Sequence, residues 1–152
     1  MVALIMPSPK TSDALGFLLA ETARKWRSKL DQRLRPLGLS QAQWVALIHL
    51  SRGGEPMVQK ELAERIGIEG PTLVRLLDRM ARDGWIVRRD SDADRRAKTV
   101  HLTDRAVTVI DEIQTIAGQL RRDLLKSIPV GDLETCASVL RRIQAAAEAL
   151  EA

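Results

Sequence analysis

The sequence predicts a mainly α-helical chain carrying one small β-hairpin. Apolar residues recur at three-to-four-residue spacing over most of its length, the period of a half-buried helix. That period yields to strand-forming residues only over 85–90 and 98–102, on either side of a polar stretch. Gly and Pro punctuate the periodic segments. The 152 residues are 45% hydrophobic and 29% charged, enough to bury a core without disulfide staples and to form a single domain over 1–152. Disorder and collagen-like repetition are excluded on the same numbers.

The elements follow in order. Residues 7–12, PSPKTS, read as a loose leader ending in a helix cap at Ser12 or Asp13. Leu15, Leu18, Leu19, Thr22, Trp26 and Leu30 then form one stripe of a helix over about 13–34, which Pro36 and Gly38 end. Ser40 with Gln43 is a capping-box pattern opening a second helix, whose inner face is expected to be Trp44, Leu47, Ile48 and Ser51. Gly53-Gly54-Glu55-Pro56 is a loop. A short helix runs from Gln59 to Ile66 with Leu62, Ala63 and Ile66 on one face. Gly67 follows at a position that favours positive φ. Gly70-Pro71 starts another helix, with Leu73, Leu76, Leu77 and Met80 as its apolar face and Gly84 as its stop. Two strands, 85–90 and 98–102, flank the charged segment 91–97, with Val100 and Leu102 expected on one side. Thr103 caps the next helix, striped by Ala106, Val109, Ile110, Ile113, Ala117, Leu120 and Leu124. After Pro129 two sets of residues spaced seven apart, Leu133, Leu140, Ala147 and Cys136, Ile143, Leu150, make a short heptad pattern.

Composition removes several functions. Cys136 is the sole cysteine, so no intrachain disulfide forms, and at a heptad core position it is expected to be a buried structural residue rather than a redox sensor. Tyrosine is absent and the aromatics are Phe17, Trp26, Trp44 and Trp85, too few for stacking single-stranded nucleic acid. The start, Met1 to Pro7, lacks the early basic residues and long apolar run of a secretory signal, and no window reaches the ~20 apolar residues of a membrane span. A cytoplasmic location and no membrane partner are expected. His49 and His101 have no Cys or His at metal-ligand spacing, and no nucleophile triad, phosphate loop or nucleotide fingerprint is present. Neither an enzyme nor a cofactor is expected.

Helix, tight turn, helix and hairpin in succession make a winged helix-turn-helix plan, here over 40–103. Opposite the apolar back of the second of these helices, Thr72, Arg75 and Arg79 project together. A helix of this width fits the major groove of duplex DNA, where one arginine can donate two hydrogen bonds to a guanine. Gly70, Pro71 and the first-turn amides let the backbone approach a phosphate. The hairpin tip carries Asp94, Arg95, Arg96 and Lys98. Its arginines suit a narrow minor groove, and at least one aspartate is expected to hold an arginine in position.

The segments Pro36-Leu37-Gly38-Leu39-Ser40-Gln41, Gln59-Lys60-Glu61-Leu62-Ala63, Ile66 to Arg75, and Asp94-Arg95-Arg96-Ala97-Lys98 through Leu102-Thr103 resemble the MarR family of bacterial regulators, most closely its SlyA branch. The resemblance spans about 14–150 and is most specific over 66–103. It implies a homodimer in which helices over 13–36 and 104–150 interlock, in agreement with the heptad pattern. A two-fold dimer reads a palindromic operator in double-stranded DNA, with half-sites about 10 base pairs apart. The resemblance implies that Thr72 and Arg75 meet the major groove, that Arg95 enters the minor groove, and that Arg96 and Lys98 add contacts. It further implies a small aromatic carboxylate effector near Arg24, Trp26, Arg27 and Trp44, although the branch has a histidine where this chain has Ile48, followed by His49. On the residues alone core packing is the better reading of both tryptophans, and the arginines read equally well as a solvated face.

A winged helix can also be a protein-interaction module without specific DNA binding. The arginines at 75, 79, 95 and 96 argue for DNA, since a protein interface does not need them on both helix and wing. The net charge of +4 hides a distribution. Residues 65–98 hold nine basic and six acidic side chains, residues 21–36 hold six and two, and the remainder is acidic.

Overall fold

The computed structural model describes residues 9–54 and 56–150. Along them run α1 (Pro9–Leu34), a 3-10 turn (Arg35–Leu37), α2 (Gln41–Arg52), β1 (Met57–Val58), α3 (Gln59–Ile66), α4 (Gly70–Arg82), β2 (Ile86–Asp90), β3 (Lys98–Leu102), α5 (Asp104–Leu125) and α6 (Val130–Leu150). Packing groups the chain up to Ala117 into one compact unit and the chain from Gly118 into a second. No helix of the described residues is long and apolar enough to cross a membrane.

α1 is already helical at Pro9, so Ser12 and Asp13 lie within the helix and not before its first turn. Proline fits the first turn of a helix, where its missing amide hydrogen would have had no partner. Pro7, Ser8 and the residues before them lie outside the described residues, as does Glu55 of the expected loop. Pro36 tightens the end of α1 into the 3-10 turn, and Gly38 closes it at φ 72° with its amide on the Arg35 carbonyl at 3.0 Å.

The capping box at α2 is complete. Ser40 Oγ accepts from the Gln43 amide at 3.3 Å, and Gln43 Oε1 accepts from the Ser40 amide at 2.9 Å. Trp44 and Leu47 are buried as expected, but Ile48 is half-buried and Ser51 exposed. Gln43, Ala46 and Leu50 complete the inner face instead. Gln43 can be buried because both ends of its amide are hydrogen-bonded, and the Ser51 hydroxyl turns back to the Ile48 carbonyl at 2.8 Å.

The sheet has the order β1-β3-β2, antiparallel throughout. The hairpin forms at the expected residues except Trp85, which lies in the turn before β2, with Ile86 opposite Leu102 and Asp90 opposite Lys98. β1 is an addition: Met57 pairs with Val100 and covers an edge that the hairpin would otherwise expose. Two residues between Pro56 and a helix start are too short for any periodic signal. Val100 is buried and Leu102 half-buried. On the other face Thr99 is buried as well, its hydroxyl donating to the Arg89 carbonyl at 3.2 Å.

On α5, Ala106, Val109, Ile110, Ile113 and Leu120 are buried, Ala117 half-buried and Leu124 exposed. α6 buries none of its residues within the chain. Cys136, expected to be buried, is exposed, because a heptad seam needs a second helix to cover it. The first half of α1 is similar: Leu15, Phe17, Leu18 and Leu19 are exposed, Phe17 at 81%.

His49 is half-buried on α2. Burial foremost, and then the charges of Arg52 and Arg65, hold its pKa below the ordinary 6.5. The unfolded chain therefore takes up this proton at a higher pH than the folded chain does. The His49 contribution to stability is full above the unfolded pKa and is lost as pH falls through the folded one. Between about pH 7.5 and about 5.5, where carboxylates stay ionised, Tm of the wild type should fall more steeply than that of His49→Gln. Parallel Tm curves for the two chains would contradict this.

Candidate nucleic-acid interface

α4 is amphipathic, and its back fixes its front. Leu73, Leu77 and Met80 are fully buried and Leu76 nearly so. Thr72, Arg75 and Arg79, on the opposite stripe, are all exposed. The turn that admits α4 depends on Gly67, at φ 77°, whose amide and that of Ile68 both bond the Ala63 carbonyl, at 2.9 and 3.1 Å. A side chain there would be strained by its own backbone.

The start of α4 carries no side-chain cap. Glu69 gives its carbonyl to the Leu73 amide at 3.0 Å but leaves the first-turn donors without a side-chain acceptor. Uncapped amides at a helix start carry partial positive charge and favour an anion. A Cβ added to Gly70 would meet nothing within 4 Å, and its φ is not left-handed, so the fold itself does not demand glycine.

The far end of α4 is tied down by side chains. The Trp85 amide reaches the Met80 carbonyl at 2.9 Å, and Gly84 turns the chain at φ 80°. The Thr103 hydroxyl donates to the Gly84 carbonyl at 2.7 Å and also accepts from the Ala106 amide at 3.2 Å, so the expected cap of α5 also clasps the turn after α4. The Arg105 guanidinium bonds the Asp83 carbonyl and lies 4.0 Å over the Trp85 ring. An Arg88–Asp78 ion pair ties β2 to α4.

At the wing tip the acids serve the backbone. Asp94 Oδ1 accepts from the Arg96 amide at 2.9 Å and its carbonyl from the Ala97 amide at 3.0 Å, while the Ser91 amide closes on the Ala97 carbonyl at 2.9 Å. Asp94 thus holds Arg96 by its main chain, not by its guanidinium as an arginine clamp would. Lys98 is paired with Asp90 across the hairpin. Arg95 and Arg96 are exposed. Among the described residues, Arg75, Arg79, Arg95 and Arg96 form no ion pair.

The fold adds one cation that the sequence does not single out. Lys60, at the start of α3, lines a cavity of about 300 Å³ together with Asp94, Arg96 and Lys98. Lys60 and Arg96 are far apart in sequence and only the topology brings them together, so no local pattern could reveal the cluster.

The four residues marked for a small carboxylate are placed unequally. Arg24 and Arg27 are exposed on α1, and Trp26 is half-buried. Trp44 is core, 5% exposed, with its indole N–H donating to Asp31 Oδ1 at 3.2 Å. No group of three or more His, Cys, Asp or Glu able to hold a metal ion occurs among the described residues.

A recognition-type helix with exposed arginines, followed by a hairpin with a basic tip, defines a winged helix-turn-helix protein. A sequence model of the MarR family matches residues 37–97. The crystal structure of the transcriptional regulator PA3341 is 46% identical, with a TM-score of 0.82, covering 88% of this chain and 98% of that one. Wild-type apo MarR from E. coli is 26% identical, with a TM-score of 0.74, covering 91% of this chain and 97% of that one. A mutant of E. coli MarR complexed with operator DNA is 24% identical, with a TM-score of 0.77, covering 91% and 99%. The chain belongs to the MarR family of transcriptional regulators.

Thr103 joins the wing, the end of α4 and the start of α5 through one hydroxyl. Thr103→Val removes a cap worth ~1 kcal/mol and a hydrogen bond of about the same size, so denaturant unfolding should show a loss of roughly 2 kcal/mol. An unchanged midpoint and slope would show the hydroxyl to be idle.

Proposed function

We propose that the chain is a homodimeric regulator of the SlyA type that reads a palindromic operator, with α4 in the major groove and the wing tip in the minor groove. The observation that carries this is the placement of exposed arginines, Arg75 and Arg79 on the front of α4 and Arg95 and Arg96 on the tip, none of them in an ion pair among the described residues. The uncapped start of α4 and the open space beside Gly70 suit a phosphate. The operator complex of the E. coli MarR mutant supports the same use of the fold. Exposed apolar side chains on α1 and on α6 support dimerisation, since each helix offers a face that its own chain leaves uncovered. Two copies related by a two-fold axis would meet half-sites about 10 base pairs apart.

Small aromatic carboxylates are proposed as effectors, with Arg24 and Arg27 as cations and the half-buried Trp26 as the apolar surface. Trp44 enters only as a fixed wall, its N–H already bonded to Asp31. Salicylate at millimolar concentration should raise Tm and weaken DNA binding. If neither changes, there is no such site.

A duplex selected from random DNA by the wild-type chain provides the test of the main reading. Arg95→Ala should weaken binding to it by about tenfold or more while the unfolding curve stays in place. Gly70→Ala should leave Tm unchanged or raised, because alanine suits a helix better, yet it should weaken binding by crowding a phosphate. Affinity should fall steeply with salt, as release of counterions from several phosphates requires. Binding that ignores salt and Arg95 would overturn the reading.

A further inference from the structure

Asp83 caps the C-terminal end of α4, where the helix dipole disfavours a negative charge. Asp83 is exposed, so water solvates its charge, and a hydrogen-bond donor there adds to that solvation. Its carboxylate Oδ2 accepts a hydrogen bond from Gln43 Nε2 at 3.0 Å, across forty residues of chain. Gln43 is only 5% exposed, and the other end of its amide, Oε1, accepts from the Ser40 amide at 2.9 Å. A main-chain amide can only donate and a carboxylate can only accept, so the orientation of the Gln43 amide is fixed by its two partners. One buried side chain therefore spans from the first turn of α2 to the last turn of α4.

We propose that the Gln43–Asp83 contact is a latch that sets the pitch of α4 against α2 and so aims Thr72, Arg75 and Arg79. Both are positioning residues that act on DNA through α4, and the inference rests on the reading that α4 meets DNA. The leverage is large. Arg79 lies nine residues from Gly70, about 13 Å along the helix, so a tilt of about 10° about the start of α4 moves it by about 2 Å and carries Asp83, at the latched end, by about 3 Å. Such a shift takes a hydrogen bond from its optimum to beyond its range. The apolar back of α4 resists rolling about its axis, but apolar contacts are not directional and set pitch poorly. Thr103, Arg105 and Arg88 hold this end of α4 from the wing side, and a hydrogen bond between two named atoms at the end of the lever supplies the direction toward α2.

Gln43→Glu tests the latch without removing the capping box, since glutamate accepts from the Ser40 amide equally well. It places a second carboxylate against Asp83. Affinity for a selected duplex of about 24 base pairs should fall by about tenfold, within the range of measured couplings between touching residues. Asp83→Asn alone keeps an acceptor for Gln43 and should bind within about twofold of wild type. In the double variant the amide introduced on α4 can donate to the carboxylate introduced on α2, and affinity should return to within about threefold of wild type. Amide hydrogen exchange in the free chain is read in parallel. Exchange at Met80, Ala81 and Arg82 should quicken in Gln43→Glu and recover in the double variant. If Gln43→Glu does not fold, Asp83→Ala at the exposed partner gives the same two readouts, and both should move. Wild-type affinity and wild-type exchange in Gln43→Glu would overturn the proposal. So would a folded double variant that fails to recover. If the wild-type chain selects no duplex, the DNA reading fails, and the exchange measurement still decides whether the latch exists.

Discussion

Leu73, Leu76, Leu77 and Met80, buried along one stripe of α4, fix how that helix is turned, and the exposed front of the module follows from it. Each large apolar side chain removed from water contributes about 1.5–3 kcal/mol, so together they exceed any polar contact in the module. Their spacing allows only one rotation of the helix, because a slip of one residue would turn it by about 100°. Once that rotation is fixed, Thr72, Arg75 and Arg79 have nowhere to point but outward. The left-handed turn at Gly67 brings α4 into place after α3. The clasp of Thr103 and Arg105 on residues 83–85 then joins the end of α4 to the wing.

Charge gains meaning only when each cation is sorted by its partner. Arg65 pairs with Glu61 on α3, Arg88 with Asp78, and Lys98 with Asp90, so three of the nine basic residues over 65–98 answer acids of the same chain. Arg75, Arg79, Arg95 and Arg96 have no such answer. Exposed cations without partners are stable in water and cost little, and Arg82, Arg89, Arg141 and Arg142 have no ion pair among the described residues either; what sets the four apart is their place on a helix front and a turn tip, the parts of a winged helix that can enter grooves. The basic zone on α1 is more ordinary. Lys25 and Glu21 form an exposed pair at 2.9 Å, and its hydrogen bond, with the charge of Lys25, lowers the Glu21 pKa. Pairs of this kind add little to stability.

The parts of the fold legible in the sequence are those written in local code. The capping box at Ser40 and Gln43, the glycine turn at Gly67, the stripe of α4 and the hairpin residues all depend on neighbours a few positions away, and the structure reproduces them. Long-range features are illegible for a physical reason. β1 exists because Met57 meets Val100, and no pattern within two residues announces that pairing. Lys60 joins Arg96 only through the topology, and the Nε2 end of the buried Gln43 amide finds its acceptor, Asp83, forty residues away. The heptad on α6 marks an apolar face, yet a periodic pattern specifies a face and not its cover, which is why Cys136 is exposed. The start of α1 is misread from the sequence because PSPKTS contains good cap residues, and proline in a first turn conceals how early a helix begins.

On the proposed reading one surface, the front of α4 with the wing tip, meets duplex DNA. An NMR titration of the labelled chain with a selected duplex at moderate salt tests it residue by residue. Amide shifts should concentrate at Gly70, Thr72, Arg75 and Arg79 and at Arg95 and Arg96, with those of α6 unmoved. Saturable binding with shifts elsewhere and none on α4 or the tip would contradict it.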